Sequence, residues 1–240
     1  MSFDYANSYC HILPSILVKW TALIKVWLFE RTETHFSDSF FYTSGVTIEE
    51  FQDKLRNQPW WNTQGLEADK IRMMTKDSIW LRNFMSWSNK EDEILGKVER
   101  TLKWRQKVDI YSWSAGGAWA QKAFENPFLQ LHGRDADGQR VLWKVVKFSN
   151  TKHLEEGKQA ISYYFELLHR AEPDAKLTIV FNLQGSGLAQ SSLDYLKHFM
   201  FLCTEAYPNL IKQLVILDLP WVLKSIWAIV KLWLDEKQKS

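Results

Sequence analysis

The sequence predicts an α/β protein in which a mixed, largely parallel sheet follows a helical amino-terminal region. Two near-continuous apolar runs, at residues 177–181 and 214–217, have the length and β-branched content of strands that are covered on both faces. Residues 191–206 lie between them and carry apolar side chains at helical spacing, which predicts a β-α-β crossover. Residues 220–234 add an unusual helix that is apolar around most of its circumference.

The first region, residues 1–45, is expected to be an amino-terminal extension that contains an amphipathic helix. Apolar side chains recur on one helical face from Ile16 to Leu28. This helix could pack on the protein or lie in a membrane interface. A signal anchor is less favoured, because no basic cluster precedes the apolar run.

A helical annex is predicted at residues 46–125. Thr47 and Glu50 have the spacing of a capping box, which places the start of the first helix. Apolar residues at helical spacing then predict further helices near 66–73, 78–88 and 89–107.

Residues 126–240 are expected to form the α/β lobe. It begins with strands near 128–132 and 140–148, joined by a turn, and continues with a helix from about 153 to 170. Asp135 and Asp137 in the turn have the spacing of calcium ligands. The glycine and the closing glutamate that a calcium loop requires are absent, so a plain turn is expected.

The apolar helix near the carboxyl end favours a role at a hydrophobic boundary. Lys224, Ala228, Lys231 and Asp235 form one narrow stripe, and the other positions are apolar. The segment is shorter than the about 20 apolar residues that a membrane-spanning helix needs. We expect it to face a hydrophobic cavity on one side and a membrane surface on another. An ordinary helix buried between the sheet and its neighbours is the alternative.

The composition excludes some classes of protein. A net charge of +2, with basic and acidic residues interleaved, does not predict nucleic-acid binding. The chain has thirteen tryptophans, a residue that favours membrane interfaces and ligand cavities. Two distant cysteines, Cys10 and Cys203, do not indicate a disulfide framework, and a cytosolic location is the simplest expectation.

The sequence predicts no catalytic residue, metal ligand or cofactor. Residues 185–187 (Gly-Ser-Gly) lack the further residues that a dinucleotide fingerprint, a P-loop or a nucleophile elbow requires. The six histidines form no i, i+4 pair and no cluster with cysteine. We therefore expect a protein that is not an enzyme.

Several of these segments resemble the CRAL-TRIO lipid-transfer fold. The resemblance covers roughly residues 79–234 and rests on residues 101–105 (Thr-Leu-Lys-Trp-Arg), 206–208 (Ala-Tyr-Pro), 218–221 (Asp-Leu-Pro-Trp) and 231–235 (Lys-Leu-Trp-Leu-Asp). The family includes phosphatidylinositol transfer proteins, the α-tocopherol transfer protein and the retinaldehyde-binding protein. Within it, the aromatic content and the Asp-x-Pro-Trp sequence are most similar to the amino-terminal domain of motile-sperm-domain-containing proteins.

The resemblance implies that the apolar helix at 220–235 is a gate over a lipid pocket. Two departures from the family are present. Asn209 stands where phosphoinositide-transfer members carry an acidic residue after Tyr-Pro. The chain also ends at Ser240, before the closing helices and final strand of the family's lobe, so the lobe is expected to be incomplete at its carboxyl end.

The expected function is the binding, and the transfer between membranes, of a phospholipid or similar hydrophobic ligand in a pocket floored by the sheet. The expected lipid contacts are Val145, Ile179, Phe181, Phe199, Leu223, Ile226, Trp227 and Val230. The expected membrane-docking residues are Trp221, Leu232, Trp233 and Leu234.

The expected location is cytoplasmic and peripheral to membranes, with the endoplasmic reticulum and lipid droplets as candidates. The alternative function is a membrane-docking or tethering module that carries no lipid. Co-purification of a lipid would distinguish the carrier from the docking module.

Overall fold

The computed structural model describes residues 45–62, 65–113, 128–149, 151–190 and 192–224, together with single positions between 117 and 125. The helix predicted in the amino-terminal extension lies outside the described residues. So does the apolar helix beyond Lys224.

Four continuously described helices belong to the annex. They are α1 (Ile48–Arg56), α2 (Glu67–Met73), α3 (Ile79–Met85) and α4 (Glu91–Lys107). The predicted capping box is confirmed at α1, where the Glu50 amide donates to Thr47 Oγ1 at 3.2 Å and the Thr47 amide donates to Glu50 Oε2 at 2.8 Å. Ser78 caps α3 in the same way, by accepting a hydrogen bond from the Leu81 amide.

The annex has a hydrophobic core of its own. The apolar positions of its helices recur every three or four residues, so one side of each helix faces the others. Among the fully buried side chains of this core are Phe51, Leu55, Phe84, Met85 and Ile94.

A four-stranded sheet organises the lobe. Its strands are β1 (Leu129–Arg134), β2 (Arg140–Val145), β3 (Leu177–Asn182) and β4 (Ile211–Leu217), in the order β1-β2-β3-β4. The β1–β2 pair is an antiparallel hairpin, and the other two pairs are parallel. The predicted mixed, largely parallel sheet is therefore confirmed. Asp135 in the hairpin turn accepts bonds from the Gln139 amide and the Thr178 hydroxyl, both at 2.8 Å, which stabilise the turn.

Two helices connect the parallel strands. Helix α5 (Leu154–Ala171) joins β2 to β3, and α6 (Leu193–Phe201) joins β3 to β4. The sequence predicts one helix over 191–206, but a π-helical turn at Leu202–Ala206 replaces its last part. The Thr204 hydroxyl donates to the Met200 carbonyl at 2.8 Å beside this turn. Because connections between neighbouring parallel strands are right-handed, both helices lie on one face of the sheet.

The strand register assigns the side chains of the sheet to its two faces. Leu142, Ile179 and Leu214 pair across β2, β3 and β4 and belong to the lobe core with α5 and α6. The next row, on the opposite face, contains Trp143 and Val180. Val180 is buried and Trp143 is 39% exposed. Strand β3 is buried along most of its length, which accounts for its continuous apolar sequence.

Candidate functional site

The sheet and α6 bring three of the predicted lipid contacts together. Ile179 and Phe181 point to the face of the sheet that α6 covers, and the Phe181 and Phe199 rings meet edge to face with centroids 5.3 Å apart. Val145 is the last residue of β2 and alternates with Lys144, so it lies on the opposite face and is partly buried. The predicted floor of the pocket therefore divides between the two faces of the sheet.

The start of the predicted gate is described only as far as Lys224. Trp221–Leu223 form one short 3₁₀ turn, in which Leu223 is buried and Trp221 is 81% exposed. The remaining predicted contacts in the apolar helix lie outside the described residues. They are Ile226, Trp227 and Val230 for the lipid, and Leu232, Trp233 and Leu234 for the membrane.

Large apolar side chains are exposed where the parallel strands end. Phe148 follows β2, Leu188 and Leu193 follow β3, and Trp221 follows β4; their exposed fractions are 51%, 59%, 46% and 81%. The carboxyl ends of parallel strands share one edge of the sheet, and we call these four residues the apolar edge. Sequence reasoning identified Trp221 and missed the other three. Phe148 and Leu193 lie at the ends of segments whose apolar residues were expected to face the interior, and Leu188 is an isolated apolar residue.

A buried lysine lies on the core face of β2. Lys144 pairs in register with Leu129 and Phe181, and its residue exposure is 8%. Its ammonium nitrogen lies 4.3 Å from the centroid of the Tyr195 ring. Burial lowers the pKa of Lys144 from its usual 10.5 to about 8. No carboxylate among the described residues forms an ion pair with it.

Tyr195 brings a second polar group to this part of the core. Its hydroxyl is buried and finds no hydrogen-bond partner among the described residues. Burial raises the pKa of Tyr195 above its usual value. Gly157 in the first turn of α5 faces the same ring, since a Cβ at this position would lie 3.6 Å from Tyr195 Cε2. Sequence reasoning missed Lys144 and Tyr195, although the alternation of β2 places Lys144 on the same face as Leu142.

The annex and the lobe meet at a buried network of charges. Arg105 of α4 donates to both carboxylate oxygens of Asp69 in α2, at 2.6 and 2.9 Å, and to both of Glu166 in α5, at 2.7 and 2.9 Å. Burial opposes ionisation of Glu166, but the adjacent guanidinium of Arg105 dominates and lowers the pKa of Glu166 to about 2. These bonds tie the two regions together through fully buried groups.

Tyr207 and His169 complete this junction. The Tyr207 hydroxyl donates to Glu166 Oε2 at 2.7 Å, and Arg72 lies 3.0 Å from His169 Nε2 through its Nη2. Burial lowers the pKa of His169 to about 3. Arg105 and Tyr207 belong to two of the segments that carry the sequence resemblance, so those segments meet here.

Asn209 extends the junction by one contact. It follows the Tyr-Pro pair, adopts a positive φ of 62°, and donates through its side chain to Ser86 Oγ at the end of α3. Asparagine tolerates this backbone conformation better than most residues. Its role in the described structure is therefore to connect the lobe with the annex.

Comparison with known proteins agrees with this architecture. Residues 125–240 match the family model described as CRAL/TRIO domain. The predicted family is thereby confirmed at the level of the domain. The finer likeness to motile-sperm-domain-containing proteins stays a prediction.

Two curated proteins are similar to parts of the chain. The phosphatidylinositol transfer protein CSR1 of Eremothecium gossypii is 41% identical over 157 residues, which is 58% of this chain and 35% of that protein. The CRAL-TRIO domain-containing protein C3H8.02 of Schizosaccharomyces pombe is 36% identical over 66 residues, or 26% of this chain and 14% of that protein. The chain thus matches about a third or less of the length of each.

Proposed function

We propose that this protein binds a phospholipid or a similar hydrophobic ligand in its CRAL/TRIO domain and transfers it between membranes. The observation that carries the proposal is the domain match, together with 41% identity to a protein named for phosphatidylinositol transfer. The same name makes a tethering module without cargo the less favoured alternative. We assign no catalytic residue, metal or cofactor to the domain.

A carrier must keep hydrocarbon out of water. Exposing an acyl chain of about 16 methylenes costs roughly 13 kcal/mol, at about 0.8 kcal/mol for each. Ile179 and Phe181 of the sheet pack with Phe199 of α6 and form a continuous apolar cluster. We propose this cluster as the pocket floor, with Leu223, Ile226, Trp227 and Val230 as its cover and Val145 as a contact at the strand end.

Transfer also requires a surface that meets the bilayer, and we propose the apolar edge for this role. Trp221 is its most exposed member, and tryptophan favours the membrane–water interface. Leu232, Trp233 and Leu234 are proposed to extend the same surface. None of the described helices is long and apolar enough to cross a membrane. Because the apolar edge would meet a bilayer from one side, we propose a location peripheral to membranes and cytoplasmic, at the endoplasmic reticulum or lipid droplets.

Vesicle binding and lipid extraction test the two parts of this proposal. Phosphatidylcholine vesicles containing phosphatidylinositol are floated with the wild type, and the lipid in the recovered protein is identified by native mass spectrometry. We expect Trp221→Ser to weaken vesicle binding about tenfold, since burial of a large apolar side chain contributes roughly 1.5–3 kcal/mol. Trp227→Asp with Val230→Asp is expected to abolish lipid extraction.

The matched control is Trp143→Ser, because Trp143 is partly exposed on the face of the sheet opposite to Ile179 and Phe181 and is not a member of the apolar edge. It should bind vesicles like the wild type. Unchanged extraction by the Trp227 and Val230 double variant would remove these residues from the pocket. A wild type that binds vesicles and never acquires lipid would support the docking module instead.

A further inference from the structure

In the interior of the lobe, a cation and a hydroxyl group have no ion-pair or hydrogen-bond partner among the described residues. The Lys144 ammonium is over the Tyr195 ring at 4.3 Å, and the Tyr195 hydroxyl has no partner among the described residues. We propose that Lys144 and Tyr195 bind the anionic phosphate of the lipid headgroup, an inference that rests on the lipid-carrier function proposed above. The protein would then bind phospholipids in preference to neutral lipids, because two groups in its core recognise the phosphate.

Packing alone does not explain a lysine at this position. Its neighbours in the same row of the sheet, Leu129 and Phe181, are apolar, and an apolar side chain would fill the position without desolvating a charge. The carboxylates in the first turn of α5, Glu155 and Glu156, are exposed to solvent. Glu155 pairs with Lys158, and Glu156 lies within ion-pair distance of His153. Within the described structure, the charge of Lys144 is therefore available to a ligand.

The chemistry of the two groups selects the ligand. An ammonium group offers three hydrogen-bond donors and no acceptor, and a tyrosine hydroxyl can donate one more bond. Donors of this kind pair most strongly with charged oxygen acceptors such as phosphate. The pKa of about 8 for Lys144 leaves it mostly protonated at neutral pH, as this pairing requires.

The location of the pair favours an amphiphilic ligand over a free ion. Lys144 is the last residue but one of β2, close to the carboxyl edge of the sheet, where open α/β sheets bind ligands. Gly157, in the first turn of α5, lies against the Tyr195 ring, so the amino-terminal end of this helix is close to the pair. The amino-terminal end of a helix favours nearby anions. On the other side, Phe181 pairs with Lys144 and contacts Phe199, so an apolar wall begins beside the cation.

Lys144→Met tests the proposal, because methionine keeps the length of the side chain and removes its charge. The wild type and the variant extract phosphatidylinositol, or diacylglycerol with the same acyl chains, from phosphatidylcholine vesicles. We expect phosphatidylinositol extraction to fall about tenfold or more and diacylglycerol extraction to stay unchanged, since one charged hydrogen bond has been lost. Tyr195→Phe should show a smaller loss of the same selectivity.

Lys147→Met is the matched control, since Lys147 is exposed three residues further along and its ammonium lies over the Phe148 ring. It removes the same charge from the surface and should retain the preference for phosphatidylinositol. If Lys144→Met extracts phosphatidylinositol and diacylglycerol in the same ratio as the wild type, the headgroup site is overturned and the carrier function is left intact.

Thermal shifts with inorganic phosphate and with dihexanoyl phosphatidic acid separate the remaining outcomes. Stabilisation by the short-chain lipid alone, lost in Lys144→Met, supports a headgroup site. Equal stabilisation by inorganic phosphate would assign the pair to a free ion and overturn the headgroup. If the wild type extracts neither lipid, the proposed carrier function is wrong. The anion site is then supported if dihexanoyl phosphatidic acid stabilises the wild type and not Lys144→Met, and it is overturned if the two proteins respond alike.

Discussion

Two buried cations of this protein differ in whether the fold supplies them with carboxylate partners. Arg105, at the junction of annex and lobe, is fully buried and donates to two carboxylates. Lys144, in the lobe core, is nearly as buried; its ammonium lies over the Tyr195 ring and forms no ion pair with a described residue. A buried charge needs compensation, so the first cation is satisfied by the fold and the second remains able to bind an anion.

The choice of residue agrees with these roles. The planar guanidinium of Arg105 matches two carboxylates at once through fixed donors, which suits a permanent junction. The lysine side chain is a flexible point charge whose pKa responds to burial, which suits exchange of a ligand. The comparison predicts that removing the two charges will change stability in opposite directions.

The largest effect is expected at the junction. Arg105→Met leaves Asp69 and Glu166 buried without their main partner, and it should lower the free energy of unfolding by about 3–5 kcal/mol. Urea unfolding followed by circular dichroism measures the loss. Arg100→Met is the control, because its bond to Glu205 connects the annex helix and the lobe at an exposed position and should contribute at most about 1 kcal/mol. Similar losses in both variants would contradict a special role for the buried network.

Lys144→Met is expected to raise the free energy of unfolding by about 1–3 kcal/mol at pH 7, because it removes a desolvated charge. The gain should shrink at alkaline pH. Unfolded wild type holds its lysine proton up to pH 10.5, whereas the folded state releases it near pH 8. The wild type therefore gains stability across this window and approaches the variant. A difference between the two proteins that does not change from pH 7 to 10.5 would contradict this account of Lys144.

The smallest effect is expected on the free energy of unfolding at acidic pH. Burial holds the pKa of His169 at about 3, whereas an unfolded histidine takes up a proton below 6.5. The unfolded state is therefore favoured as pH falls from 6.5, by about 1.4 kcal/mol per pH unit for this histidine. His198, with a pKa of about 4, adds a similar slope.

His169→Gln should remove one of these two contributions, as measured by urea unfolding at pH 7, 6 and 5. His132→Gln, at an exposed position of β1, is the control and should retain the slope of the wild type. An unchanged slope in His169→Gln would show that this ring does not resist protonation in the folded protein.

Most of the described fold could be predicted from local patterns. The Thr47 and Glu50 spacing identified the start of α1, and the apolar runs identified β3 and β4. The limits of other elements were less accurate, because helix periodicity continues through the π-helical turn at Leu202–Ala206 without a change. Periodicity reports which side of a segment is apolar, and hydrogen-bond geometry decides where the helix ends.

The candidate site was predicted less completely. Ile179, Phe181 and Phe199 could be found because they belong to periodic apolar segments. Whether Val145 or Lys144 faces the lobe core depends on the strand register, because a shift of one residue exchanges the two faces of a strand. Charged residues also have no periodic signal of their own, so Lys144 resembled an ordinary surface lysine.

By itself, the sequence determined the class of fold, the succession of strands and helices, and the resemblance to CRAL-TRIO proteins, since these follow from contacts between residues that are close along the chain. The tertiary structure decided which charges are satisfied. Asp69, Arg105 and Glu166 meet across separations of 36 and 61 residues, and Lys144 receives no such partner among the described residues. The energy of a buried charge depends on its neighbours in space, and these are set only when the helices and the sheet pack together.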